Sequence, residues 1–153
     1  MKTQLLLLSL FIALLNGCAT PQPVGNAEPS QASWISPEEA VMQAAEAAPY
    51  GVKGTFALEV QGTGERGGVT YLNSELDYRD QRNLTVAIAP GAANQLAERL
   101  GQPPSDGLMG EEILVRGTAK RVRIDFLANG RVSGKYYYQT HVEVTEPDQI
   151  TLR

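Results

Sequence analysis

Cysteine, histidine and tryptophan each occur once in these 153 residues, at Cys18, His141 and Trp34. Zinc sites draw three or four ligands from Cys, His and carboxylate side chains. A lone histidine and a lone thiol give no such set, so no metal centre and no cofactor are expected. No Gly-x-Ser-x-Gly elbow is present, and no serine has an identifiable base partner. The seventeen carboxylates are spread along the chain and single out no acid/base pair, so no catalytic residue is assigned. A basic excess is missing too: thirteen Lys and Arg oppose seventeen Asp and Glu, for a net charge of −4. That balance works against binding of nucleic acid or anionic lipid by the molecule as a whole. Internal repeats are absent, and only one long apolar run occurs.

That run, Leu5–Leu15, has eleven residues. Crossing the hydrocarbon of a bilayer takes roughly 20 apolar residues, whereas about 10 to 14 read as a signal core or a buried helix. Lys2 ahead of the run and the small residue at its exit favour a signal. The run closes on Leu15-Asn16-Gly17-Cys18. This segment resembles a bacterial lipoprotein signal, in which a small residue precedes a cysteine whose sulfur accepts a lipid. The resemblance implies that residues 1–17 form a signal peptide and that Cys18 carries a diacylglyceryl group. One acyl chain anchors only marginally, at about 0.8 kcal/mol per buried methylene, so two chains meet the requirement for stable retention. Acylation also removes the odd thiol that an oxidising compartment would leave free to pair. Ala19 stands where lipoproteins kept at the inner membrane typically carry Asp, which points to the outer membrane, facing the periplasm. Residues 18–33 hold three prolines and little to bury. They read as a flexible tether averaging about 20 to 25 Å end to end.

Residues 34–153 suit one domain with one core. Ser36-Pro37-Glu38-Glu39 has the form of a capping box with proline at the first helical position. A short helix is expected to follow, with Val41, Ala44, Ala45 and Ala48 on its inner face and Pro49 ending it. Beyond Gly51 the pattern turns to alternation. Phe56, Leu58 and Val60 mark a first strand whose apolar set faces a core. Gly62 to Gly68, with four glycines, reads as a hairpin loop, since neither a helix N-terminus nor a lysine follows to make a phosphate cradle. Val69–Leu76 and Leu84–Ile88 read as the second and third strands, joined by the polar turn Asp77–Asn83. Leu96 and Leu100 at i, i+4 with Gly101 behind them predict a short helix. A fourth strand is expected over about Glu112–Leu127, a turn at Asn129-Gly130, and a fifth strand over about Lys135–Val144.

Three strands, a helix and two strands, all antiparallel by their hairpins, is the order of an OB-fold barrel. Tyr71-Leu72-Asn73, Asp77-Tyr78-Arg79, Leu84-Thr85-Val86, Val115-Arg116-Gly117-Thr118 and the ending His141-Val142-Glu143-Val144 with Pro147 and Ile150 resemble bacterial OB-fold domains of the nucleic-acid-binding-like kind. The fold expected for residues 34–153 is therefore mainly β: a five-stranded antiparallel OB-fold-like barrel with a helix between strands 3 and 4 and a short N-terminal helix. A fold does not carry a function, so the ligand has to be argued from side chains.

Two concentrations of side chains bear on that. Arg116, Lys120, Arg121, Arg123, Arg131 and Lys135 hold six of the thirteen basic residues, enough for local charge to overcome the negative total, or simply a solvated strand face. In Tyr136-Tyr137-Tyr138, alternation sends Tyr137 to one side and its neighbours to the other. At least one set is expected in the core; Tyr137 and His141 beside Arg131 and Lys135 would otherwise form a binding patch. Binding surfaces on small barrels lie on loops and on the open face of the early strands, because the interior is filled. That assigns ligand binding to Tyr71 and Asn73 on a strand and to Tyr78, Arg79 and Arg82 in the turn that follows, where a ring beside guanidinium groups can stack on a sugar or pair with a carboxylate. Asp77 and Asp80 could instead take up Arg79 and Arg82 merely to fix the turn. The function expected is a non-enzymatic, lipid-anchored binding domain of the cell envelope, held to the membrane through Cys18, whose ligand is a partner protein or an envelope glycan. An oligonucleotide-binding module is the alternative and a hydrolase a third.

Overall fold

The computed structural model describes residues 33–153; the signal, Cys18 and the tether as far as residue 32 lie outside the described residues. The N-terminal helix α1, Pro37–Glu46, begins at the capping box. Ser36 Oγ accepts the Glu39 N–H at 3.3 Å and Glu39 Oε2 accepts the Ser36 N–H at 3.1 Å. The helix stops three residues short of Pro49, with Ala47 as its C-cap. Its buried face is set by Ala40 and Ala44; of the expected stripe, Ala44 is buried and Val41 partly so, whereas Ala45 and Ala48 are exposed. The larger apolar residues of the helix do not fix its rotation: Val41 is partly buried and Met42 is 55% exposed.

Seven strands follow instead of five. They are β1 (Val52–Glu59), β2 (Gly62–Arg66), β3 (Val69–Asn73), β4 (Leu84–Ile88), β5 (Glu112–Ala128), β6 (Arg131–Val144) and β7 (Ile150–Leu152). Helices α2 (Pro90–Leu100) and α3 (Pro104–Gly107) lie between β4 and β5, and a 3-10 turn, Pro147–Gln149, precedes β7. The glycine-rich stretch expected as a loop is mostly strand: Gly62–Arg66 pairs antiparallel with Val69–Asn73 across a Gly67-Gly68 turn. Both turn glycines have positive φ, a conformation glycine adopts at no steric cost. At the far end of β5, Asn129 and Gly130 take φ values of 52° and 75°, as a two-residue hairpin turn demands.

The sheet runs β1-β5-β6-β4-β3-β2, with β7 added beside β5. All its pairings are antiparallel except β4 with β6, which is parallel from Leu84↔Thr140 to Ile88↔Val144. The expectation of an all-antiparallel sheet fails there because α2, α3 and the β5–β6 hairpin bring the chain back in the same direction as β4. The first and last strands of the path, β1 and β2, are consecutive in the chain. Val60 donates its N–H to Glu111 O at 3.0 Å, on the β5 side, while Gln61 donates to Asn73 O at 2.9 Å, on the β3 side. Pairing thus changes sides between two adjacent residues, and the sheet is curled.

Its concave side holds the core. Phe56, Val60, Leu72, Leu84, Val86, Ile88, Ile113, Val115, Val142 and Val144 are fully buried, with Leu58 nearly so; these are the alternating apolar positions of the strands. Leu96 of α2 and Ala40 and Ala44 of α1 close the ends. Gly117 has no room for a side chain, since a Cβ would stand 2.7 Å from Val142 Cγ1. Among the described residues no helix is long and apolar enough to cross a membrane.

Candidate ligand-binding cleft

The convex face of β3, β4 and β6 carries the odd-numbered partners of the core residues. Register places Tyr71 opposite Ala87, Asn73 opposite Thr85, and Thr85 opposite His141. Gln139, two residues before His141, falls on the same side. Tyr71, Asn73, Thr85, Gln139 and His141 floor a cleft of about 640 Å³. One wall is Thr63–Arg66 of β2; the other is Ile124–Leu127 of β5 with Tyr137 of β6. Tyr78 and Arg79 stand at the end formed by the 74–83 turn.

A buried polar network holds that turn. Asn83, 2% exposed, accepts the Glu75 N–H at 3.1 Å and the Ser74 hydroxyl at 3.4 Å through Oδ1. Through Nδ2 it donates to Thr85 Oγ1 at 2.9 Å and to Asn73 Oδ1 at 3.1 Å, with Tyr78 O at 3.3 Å. Ser74 Oγ in turn accepts the Leu84 N–H at 2.9 Å. The network is why β3 ends at Asn73, short of the expected Leu76: Ser74 still donates its N–H to Leu84 O at 3.1 Å, but the N–H groups of Glu75 and Leu84 go to the side chains of Asn83 and Ser74. Within the turn, Asp77 and Asp80 accept the N–H groups of Arg79 and Arg82, each at 2.9 Å, as Asx turns do.

The five residues assigned from sequence divide. Tyr71, Asn73, Tyr78 and Arg79 all line the cleft. Arg82 does not. Its guanidinium forks onto Asp80, with Nε–Oδ1 3.1 Å and Nη2–Oδ2 2.9 Å, and lies 4.0 Å from Glu75. The hydrogen bonds from Arg82 hold the Asp80 carboxyl down to about 2, and the same pairing raises the Arg82 pKa. Arg79 makes no ion pair among the described residues; its guanidinium carbon sits 4.7 Å from the Tyr78 ring centroid. Asn73 is 7% exposed and its Oδ1 is taken by Asn83 and by Thr85 Oγ1 at 2.9 Å. Its Nδ2 makes no hydrogen bond among the described residues and is not fully buried.

Gln139, Tyr137 and His141 also belong to the cleft. Gln139 Nε2 donates to Tyr78 O at 3.0 Å and to Tyr137 Oη at 3.1 Å, tying β6 to the 74–83 turn. A carbonyl can only accept, so the Gln139 nitrogen faces Tyr78 and its oxygen faces His141 Nε2, 2.8 Å away. That imidazole nitrogen must then carry the hydrogen, and Nδ1 of the neutral ring is an acceptor. Burial lowers the His141 pKa, with the Glu143 carboxylate pulling weakly upward. Burial likewise raises the Tyr137 phenol, as do Tyr78 and Asp77, against an opposing pull from Arg79. Tyr71 meets His141 edge-on at 6.4 Å and Phe126 leans on Tyr137 at 5.2 Å. Strand parity was the available signal for this set, but it needed the parallel β4–β6 register.

Neither face of Tyr136-Tyr137-Tyr138 is core, contrary to expectation. Tyr137 is half-buried in the cleft wall. Tyr136 and Tyr138, 49% and 43% exposed, pack edge to face at 5.6 Å on the opposite side, under Arg123 and Arg121. The hairpin outruns the core at that level. Arg131 and Lys135 are exposed near its end and do not line the cleft. Among the described residues no three His, Cys, Asp or Glu side chains are grouped to hold a metal ion.

The cleft thus combines four aromatic rings and an imidazole with amides on its floor. Its lining includes Arg66, Arg79, Glu65 and Asp125, of which Asp125 is already engaged by Arg123 at 2.7 Å. Such a surface can stack on the flat apolar faces of a ligand and hydrogen-bond its edges.

No family model matches the chain, and no curated protein matches it. Among solved structures it is similar to a chain assigned as an aspartyl-tRNA synthetase from Leishmania major Friedlin, with 12% identity and a TM-score of 0.43 over 84% of this chain and 22% of that one. The chain spans about a fifth of that protein's length. No functional argument rests on this likeness.

Proposed function

We propose that residues 34–153 are a non-enzymatic binding domain of OB-fold-like build that takes an extended glycan strand of the cell envelope into the cleft, and that lipid on Cys18 holds it there. The OB-fold-like assignment is supported by the strand order. If β1 and β2 count as one strand bent at Val60-Gln61, the path becomes that of a five-stranded barrel, with helices between its third and fourth strands. In such barrels the face of the second and third strands, flanked by two hairpins, takes oligonucleotides and oligosaccharides. The cleft lies on that face.

The observation that carries the choice of ligand is the set of four aromatic rings, Tyr71, Tyr78, Phe126 and Tyr137, in a lining with only two cations. Rings stack on the C–H faces of sugars, and Asn73 Nδ2 and His141 Nδ1 are free to meet hydroxyls. A polyanion needs a run of cations along its phosphates, and the cleft lining supplies only Arg66 and Arg79. The oligonucleotide reading keeps one specific support, the Arg79–Tyr78 stack, which suits a base as well as a sugar.

Calorimetric titration with soluble peptidoglycan glycan fragments and with a single-stranded oligonucleotide, each at low and high salt, separates them. Glycan binding that barely changes with salt is expected. Oligonucleotide binding that falls steeply with salt, without glycan binding, would overturn the proposal in favour of the second reading; capture of neither ligand would sink both.

A further inference from the structure

Beyond the cleft, the β5–β6 hairpin has features that a barrel-bound ligand does not use. Its last core side chains are Ala119 and Thr140. From there the paired strands continue through Arg121↔Thr140 to Ala128↔Arg131. At about 3.4 Å per residue the stretch from Lys120 to Asn129 reaches about 30 Å along the strand. Its end is apolar: Leu127 and Val132, facing each other in register, are 59% and 61% exposed. Apolar side chains held in solvent at the tip of a protruding hairpin call for a partner.

Cations are spread along the same axis, from Arg131 at the tip to Lys120 at the base. Lys120, Arg121, Arg123, Arg131 and Lys135 lie on the hairpin against a single carboxylate, Asp125, which Arg123 already engages at 2.7 Å. The chain as a whole is acidic, so the hairpin is a cationic projection from an anionic body. Between tip and barrel sit Tyr136 and Tyr138, stacked with Arg123 and Arg121. Apolar side chains and amphipathic rings interleaved with cations can meet the acyl chains, interface and anionic headgroups of a bilayer together.

We propose that the tip of the β5–β6 hairpin enters the headgroup layer of an anionic membrane, Leu127 and Val132 inserting and the surrounding Lys and Arg side chains meeting lipid phosphates. An oligonucleotide would match the cations but would leave the apolar tip in water. The contact is separate from the lipid on Cys18, and although Leu127 also borders the cleft, Val132, Arg131 and Lys135 do not line it.

The test uses the full chain with Cys18→Ser, so that no acyl chain is present, and with Trp34→Phe and Val132→Trp, so that the sole tryptophan reports from the tip. A second variant carries Leu127→Trp in place of Val132→Trp, and circular dichroism checks that each is folded. Both are mixed with vesicles of phosphatidylcholine alone or with phosphatidylglycerol, with brominated acyl chains as quenchers. Because the readout is local, binding through the apolar N-terminal run does not mimic it. With phosphatidylglycerol the fluorescence is expected to shift to the blue and be quenched by bromine. Adding Arg131→Glu and Lys135→Glu is expected to weaken the response at least tenfold in lipid concentration. An unshifted, unquenched reporter in both folded variants overturns the proposal, whether or not the protein sediments with the vesicles. So does a reporter that answers to a single-stranded oligonucleotide and not to lipid.

Discussion

Replacing Asn83 by Asp changes one atom of the polar network and tests whether that network holds the binding turn. The side chain is 2% exposed and uses both ends of its amide. Oδ1 accepts from Glu75 N and Ser74 Oγ; Nδ2 donates toward Thr85 Oγ1, Asn73 Oδ1 and Tyr78 O. A carboxylate keeps the first role and loses the second, and it faces the Asn73 and Tyr78 oxygens with a charge that has no cation beside it. Breaking a buried charged arrangement in this way costs about 3 to 5 kcal/mol, against a total of about 5 to 15 kcal/mol for a domain. The neutral truncation Asn83→Ala mainly orphans the part-buried Glu75 N–H and costs about 2 kcal/mol. The aspartate penalty also depends on pH. Burial raises the folded-state pKa of the new carboxyl above its unfolded value of about 3.9, and each unit of difference is worth about 1.4 kcal/mol. The penalty is therefore absent below about pH 3.9, grows as pH rises toward the folded pKa, and is constant above it. Urea unfolding of parent and variant at about pH 7.5 and about pH 4 should show a wide gap that narrows on acidification. A variant within about 0.5 kcal/mol of the parent at both values would mean that water reaches Asn83 and that the network does not hold the turn.

Three further outcomes are expected. Val86→Asp places a carboxylate at a fully buried position of β4 and should cost several kcal/mol; an unchanged thermal midpoint would contradict the strand's orientation. Because burial lowers the His141 pKa, the unfolded chain takes up a proton at about pH 6.5 before the folded one does. Stability should therefore fall as pH drops through and below that value, and His141→Gln should flatten the decline in parallel urea titrations. Tyr78→Ala with Arg79→Ala removes two exposed cleft side chains while Asn83 still ties the turn. The unfolding midpoint should move little while calorimetric glycan binding is lost; the reverse pattern would assign this turn to the fold alone.

The sequence made some of this legible because certain residues leave one physical option. The capping box fixed the start of α1, Asn129-Gly130 fixed a two-residue turn, and the alternation of Phe56, Leu58 and Val60 fixed which side of β1 is inside. Elsewhere the deciding quantity was not local. Gly62–Arg66 has poor strand propensity and is a strand because β3 offers it a ladder. Ile150–Leu152 is too short to show alternation and pairs because β5 has a free edge there. Alternation separated Tyr137 from Tyr136 and Tyr138, but not how far the hairpin outreaches the core, which decides whether either face is covered. Arg79 and Arg82 are equivalent in the sequence, each two residues after an aspartate. Only the fold, by placing Glu75 near Arg82 and Tyr78 under Arg79, separates a structural cation from a cleft cation.

The parallel pairing of β4 with β6 also sets an order of events. The β5–β6 hairpin is local, turning on Asn129-Gly130, and can zip within microseconds. Leu84 must wait for Thr140, so closing the sheet spends loop entropy across most of the second half of the chain before any contact repays it. A chain emerging N-terminus first therefore leaves the β6-facing edge of β4 unpaired until Val144 has cleared. Its core cannot assemble piecemeal, and a fragment ending before β6 should show no cooperative unfolding transition.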